Sequence, residues 1–237
     1  MEYERFDSLI RKGSEAFTVE LDVQQSQRLY LYFSELKRWS RKVNLISRSA
    51  TDEEIVEKHF LDSLALLDLI TAPHASLLDI GSGAGFPGLV CKAARPEMKV
   101  GLVEPRLKRV SFLRHICRLL ELADTVVHSC RLEDRNLEGE STCGWVVSRA
   151  VAEIGDFLKL CSRFKDYGSS VVCMKGPGYL DELDDMKTST NGWCLVDTKT
   201  YRLPFSGAQR SLLVFRGLEN SQIPGGKQLN AEENQDR

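Results

Sequence analysis

The chain has little of anything that would commit it to an unusual class. Proline (7) and glycine (17) are at ordinary levels for 237 residues, which excludes collagen-like and Pro/Gly-rich disordered chains. Long apolar runs are missing: Leu64–Leu67 and Val171–Met174 fall far short of the roughly 20 residues a membrane helix needs, so no bilayer span is expected. Met1–Phe6 has neither the basic start nor the apolar core of a signal peptide, and a cytoplasmic protein is expected. Neither sign of charge dominates, with 32 Lys and Arg against 34 Asp and Glu and a net charge of -2. That balance excludes a uniformly basic polyanion binder and leaves local basic patches open. The seven cysteines are odd in number, widely spaced and without a CxxC pair. Small buried thiols are expected, with neither a disulfide framework nor a metal site.

What is present suits a sizeable core plus an appended element, since 42% of residues are apolar and 28% charged. Residues 1–72 read as helical. Leu29, Phe33, Leu36 and Val43 recur at helical spacing among Lys37, Arg38, Arg41 and Lys42. A second helix starts at Thr51, whose hydroxyl forms a capping box with Glu54, and Val56, Phe60, Leu64 and Leu67 form its apolar stripe. Thr71–Ala75, with Pro73, marks the junction.

From Ser76 short apolar runs alternate with helical periods, the pattern of a parallel α/β sheet over 73–217. Strands are expected at Leu77–Ile80, Val100–Val103, Thr125–His128, Trp145–Ser148 and Ser169–Met174. A helix with the stripe Leu107, Val110, Leu113, Cys117 and Leu120 lies between the second and third, and another with Ile154, Phe157, Leu158 and Cys161 follows the fourth. Trp193–Leu203 and Ser211–Phe215 read as a terminal hairpin, and 218–237 as a disordered tail.

The densest chemical signal is Asp79-Ile80-Gly81-Ser82-Gly83-Ala84-Gly85-Phe86-Pro87-Gly88, set between a strand and a helix. Gly83, Gly85 and Gly88 satisfy GxGxxG, and Glu104 ends the next strand about twenty residues on, in place to receive ribose hydroxyls. A dinucleotide site therefore fits. Asp79, just before the first glycine, suits an ammonium and a sulfonium better than a pyrophosphate. With the terminal hairpin, it favours S-adenosylmethionine and methyl transfer. Arg131, Arg149 and Lys175 follow the third, fourth and fifth strands and are expected to converge on one edge of the sheet, where a polyanion or the cofactor's carboxylate would meet them. His59 and Asp62, three apart on a helix, are neighbours that either orient the helical segment over the site or form a structural pair. Trp39 and Arg149 offer planar surfaces for a base.

The strings Trp39-Ser40-Arg41-Lys42-Val43-Asn44-Leu45-Ile46, His59-Phe60-Leu61-Asp62-Ser63-Leu64, Leu78 through Gly88, Lys108-Arg109-Val110-Ser111-Phe112-Leu113, Ser148-Arg149-Ala150 and Lys175-Gly176 resemble the RsmG (GidB) family over nearly the whole chain. That family methylates a guanine N7 in bacterial 16S ribosomal RNA. Asp is common in the family where this chain has Glu104, a change that keeps the carboxylate. The resemblance implies a class I (Rossmann-like) methyltransferase sheet, mostly parallel with an antiparallel last strand, under an N-terminal helical cap. It implies S-adenosylmethionine as cofactor, held by Asp79, Gly81, Gly83, Gly85, Phe86 and Glu104, with Leu132 and Glu133 at the adenine. Arg149, Lys175 and Arg131 are the expected residues of the reaction site, with Arg149 also toward the cofactor. The partner implied is 16S rRNA or the small-subunit particle, met by a monomer through the basic faces Lys37–Lys42 and Arg106–Arg118.

Overall fold

The computed structural model describes residues 1–134, 143–149, 152–185 and 192–218; the tail expected from Glu219 lies outside them. The chain opens with α1 (Tyr3–Ser14) and α2 (Val23–Ser40). Thr51 caps α3 (Asp52–Ile55), and its capping box with Glu54 forms as expected. The helix does not continue regularly. Val56–Leu61 winds as a π turn, Asp62–Leu64 (α4) resumes the α form, and Ala65–Asp68 tightens to 3-10. Val56, Phe60, Leu64 and Leu67 are all buried, so the expected apolar stripe survives the change of winding.

The sheet contains β1 (Ser76–Ile80), β2 (Lys99–Val103), β3 (Thr125–His128), β4 (Trp145–Arg149), β5 (Ser170–Lys175), β6 (Trp193–Arg202) and β7 (Gln209–Gly217). Their order is β3-β2-β1-β4-β5-β7-β6. The first five pair in parallel, and β7 runs antiparallel to both β5 and β6. Each expected strand is found, β3 with the ends expected and the others with an end or both moved by a residue or two. Arg149 and Lys175 consequently form the last residues of β4 and β5 rather than following them. Helices α5 (Gly88–Ala94), α6 (Leu107–Leu119), α7 (Ile154–Leu160) and α8 (Tyr179–Asp185) complete the layers.

Successive strand residues point to opposite faces, and the core divides accordingly. One cluster joins Phe6, Phe33 and Phe60 of the N-terminal helices to Leu77, Phe86 and Phe112. The other gathers Leu78, Phe157, Phe164 and Trp193. Ile154, Phe157, Leu158 and Cys161 are buried as expected. The α6 stripe needs correction at its start. Val110 and Leu113 face the core, together with Phe112 and Ile116, but Leu107 is 72% exposed. It occupies the first helical position, where no packed layer receives it. Most of the described cysteines are buried or half-buried. Among the described residues no helix is long and apolar enough to cross a membrane.

Candidate active site

The strand order reverses between β1 and β4, so the connections leaving these two strands part in opposite directions and open a crevice at their carboxyl ends. A cleft of about 1110 Å³ lies there. Its floor is the loop after β1, which is tied to β2 by Gly81 and Ser82 N–H donating to the Val103 carbonyl at 2.8 and 3.1 Å. Gly83 adopts φ +60, and its N–H donates to Glu104 Oε2 at 3.0 Å. The other Glu104 oxygen accepts from Arg106 N–H at 2.8 Å. Arg109 Nη1 stands 3.7 Å from Oε2. The carboxylate is thus fixed in orientation, and each oxygen keeps a further acceptor position.

Of the candidate site residues, Gly81, Gly83, Phe86, Glu104, Arg131, Leu132, Glu133, Arg149 and Lys175 line this cleft. Asp79 and Gly85 do not. Asp79 is fully buried behind the loop, where Oδ2 accepts from Gly88 N–H at 2.9 Å and anchors the start of α5 to β1. The expectation that its carboxylate faces a ligand's cationic groups is therefore corrected to a role in holding the loop. Gly85 is a packing glycine, with φ +96 and a hypothetical Cβ that would meet the Tyr32 hydroxyl and lie 2.8 Å from Leu89 Cβ. The same Tyr32 hydroxyl, from α2, donates to the Ala84 carbonyl, so the N-terminal helices grip the loop directly. Phe86 serves two ends. Its ring stacks with Tyr32 and His59 at 5.9 and 4.9 Å inside the core, yet it also borders the cleft.

Burial pushes the Asp79 carboxyl up to about 7, against the opposing pull of the Gly88 N–H and Arg149. The folded protein therefore keeps this proton where the unfolded chain, ionising near 3.8, has lost it. Stability from Asp79 is whole below about pH 4 and lost as pH rises through about 7. Asp79→Asn carries no such dependence. Its stability relative to wild type, measured by chemical denaturation, is expected to rise over that window and then level; a pH-independent difference would refute the burial account.

Arg149 lines the cleft and is held on several sides. Nη1 donates to the Lys58 carbonyl at 2.8 Å and to Asp62 Oδ2 at 3.2 Å, and Nη2 donates to His59 Nδ1 at 3.1 Å. Its carbon Cζ lies 5.1 Å from the Phe86 ring centroid. His59 and Asp62 thus meet at Arg149, and both are presented by the π turn and the residue that follows it. Burial and the neighbouring guanidinium push the His59 imidazole down to about 3, so it is neutral. Lys175 donates to the Ala152 carbonyl at 2.9 Å and to Glu182 at 2.7 Å, which ties β5 to α8. Arg131 is exposed, and Leu132 has its carbonyl held by Arg163 at 3.0 Å. Trp39 is half-buried against Phe112 and His115.

Arg106 and Arg109, part of the basic face expected along Arg106–Arg118, also border the cleft, and Arg210 joins them without having been expected there. Arg210 carries no local signal, being brought in by the hairpin.

Sheet order, antiparallel β7 and a cleft at the strand ends define a class I methyltransferase fold. Solved structures of this type include the ribosomal protein L11 methylase from Lactobacillus delbrueckii subsp. bulgaricus, at TM-score 0.51 and 12% identity over 68% of this chain and 79% of that one. TrmN from Thermus thermophilus aligns at TM-score 0.50 and 16% identity, over 67% of this chain and 48% of that one. The particular family follows from sequence: the GidB model, described as rRNA small subunit methyltransferase G, matches residues 25–213, and the chain belongs to this family. The ribosomal RNA small subunit methyltransferase G of Desulfotalea psychrophila is 47% identical over 219 residues, 91% of this chain and 100% of the relative. That of Myxococcus xanthus is 37% identical over 216 residues, 91% and 99% of the two chains.

Proposed function

We propose that this chain transfers the methyl group of S-adenosylmethionine to N7 of one guanine in 16S rRNA, as a cytoplasmic monomer acting on the RNA or the small-subunit particle. The observation that carries the reading is the cleft itself. A glycine loop and a strand-end carboxylate face guanidinium and ammonium groups from the neighbouring strand ends.

The residues fit the cofactor. Glu104 retains acceptor capacity on both oxygens for vicinal ribose hydroxyls, while Gly81 and Gly83 present backbone without side chains. Leu132 and Glu133, which the family resemblance assigns to the adenine, line the same cleft. When bound, the cofactor supplies an electrophilic methyl carbon on a sulfonium. Arg149, Arg131 and Lys175 then offer positive charge to an incoming phosphodiester, and exposed Arg41, Lys42, Arg106 and Lys108 extend that surface.

The choice of N7 agrees with the acid–base chemistry of the wall. Guanine N7 carries a free lone pair, so no proton has to be removed before attack. His59 is not available as a base, because Nδ1 accepts from Arg149 and the other ring nitrogen must then carry the proton. Asp62 is occupied by Arg149, Tyr201 and Arg210. The work left to the protein is to hold N7 in line with the methyl carbon, which by orientation alone supplies several kcal/mol, about 7 to 11 in the best intramolecular models.

The test is to give the purified protein small subunits from cells lacking this gene and to map the modified nucleotide. One new N7-methylguanine is expected. Methylation at another atom, or none on either naked RNA or particles, would overturn the reading.

A further inference from the structure

We propose that Tyr201 is a positioning residue for methyl transfer: its hydroxyl orients the Asp62 carboxylate, which in turn holds the Arg149 guanidinium at the cleft. This rests on the reading of Arg149 as a group of the reaction site.

Tyr201 Oη donates to Asp62 Oδ1 at 2.8 Å, while Oδ2 receives Arg149 Nη1 at 3.2 Å. With one oxygen claimed from the hairpin side, the carboxylate cannot swing away from Arg149. Arg210 Nε, 3.6 Å from Oδ1, is the competitor for that carboxylate. Two guanidiniums share one acid, and the short phenol hydrogen bond decides how the acid is turned between them. The phenol itself has little freedom, since its ring packs edge-on against Phe17 at 5.4 Å and 84°. Burial beside Asp62 pushes the Tyr201 hydroxyl far above its ordinary range, so it remains a donor at any working pH.

The same π turn grips the hairpin a second time. Buried Glu57 accepts the N–H groups of Phe205 and Ser206 at 2.7 and 2.6 Å. The β6–β7 hairpin and the turn carrying His59 and leading into Asp62 are therefore clamped at two places, Glu57 on the hairpin's loop and Asp62 on its strands. Of the three acceptors around Arg149, Asp62 alone is charged; the Lys58 carbonyl and neutral His59 direct the guanidinium without balancing it. Losing the phenol hydrogen bond frees Asp62 to turn toward Arg210 and leaves Arg149 without its counter-charge.

Tyr201→Phe keeps the ring and removes only the donor. With unmethylated small subunits as substrate, kcat is expected to fall about tenfold, the scale of one lost charged hydrogen bond, with KM for S-adenosylmethionine unchanged. Asp62→Asn should reproduce that split, and provides the same reading should the tyrosine variant fold poorly. In an Arg149→Ala background, Tyr201→Phe should cause no further loss, because its effect passes through the missing guanidinium. A fully active, folded Tyr201→Phe would overturn the proposal, as would losses that multiply in the double variant. Full activity of Arg149→Ala would instead overturn the reading of the site itself, and this proposal with it.

Discussion

Arg149→Ala is expected to lower methyl transfer to unmodified small subunits by about a hundredfold or more, the scale set by losing alignment of reacting groups. The argument is geometric. One guanidinium bridges the Lys58 carbonyl, His59 and Asp62 while lying over Phe86, so it sets the shape of the wall as well as its charge. Removing it leaves Asp62 buried, but still bonded to Tyr201 and near Arg210, which spares the fold the full cost of an orphaned charge. A measurable, modestly lowered Tm with near-normal affinity for S-adenosylmethionine and a collapsed rate would match. A collapse of cofactor affinity alone would assign Arg149 to the cofactor instead. Arg149→Lys should recover little, because an ammonium cannot meet three acceptors as a planar fork does.

Gly85→Ala should be the most destabilising single methyl in the loop. The position combines φ +96, which L-residues rarely adopt, with a Cβ site that collides with the Tyr32 hydroxyl and lies 2.8 Å from Leu89 Cβ. Left-handed backbone costs roughly 1–2 kcal/mol, and forced overpacking about 1–3 kcal/mol more. A loss of about 2–5 kcal/mol would lower Tm by roughly 5–15 °C for a chain of this length. Tyr32→Phe in the same chain removes the colliding oxygen and should restore part of that loss, although it also leaves the Ala84 carbonyl without its donor. Equal Tm values for Gly85→Ala and wild type would show that the loop can shift without cost.

Strands and loops with local signals were legible from the amino acids. Thr51 and Glu54 predict their own capping box because the contact spans three residues. The glycine loop and Glu104 are placed by the βα period and the spacing between successive strands. Asp79 shows where local reading stops. Its position beside Gly81 is the same whether the carboxylate turns out to a ligand or in to Gly88 N–H, and only packing chooses the second. Leu107 illustrates the converse, an apolar residue in phase with its helix but one turn beyond the layer that would bury it. The contacts of Glu57 with Phe205 and of Asp62 with Tyr201 join residues 148 and 139 positions apart, and no periodicity reports them. The π turn was invisible for a related reason: an apolar stripe at four-residue spacing accommodates either winding.

The placement of β7 between β5 and β6 has a consequence for how much of the chain each side of the cleft requires. A nascent chain elongated only through β5 already carries Gly83, Glu104 and Arg149. It has neither Tyr201 nor Arg210, so Asp62 is unsteadied and Glu57 has no turn to hold. Among the described residues, Glu104 is held by Gly83 of the glycine loop and by Arg106 without the hairpin, whereas Asp62 and Glu57 accept hydrogen bonds from it. The two sides of the cleft thus draw on different lengths of chain, and the side that holds Asp62 and Arg149 is complete only with the hairpin in place.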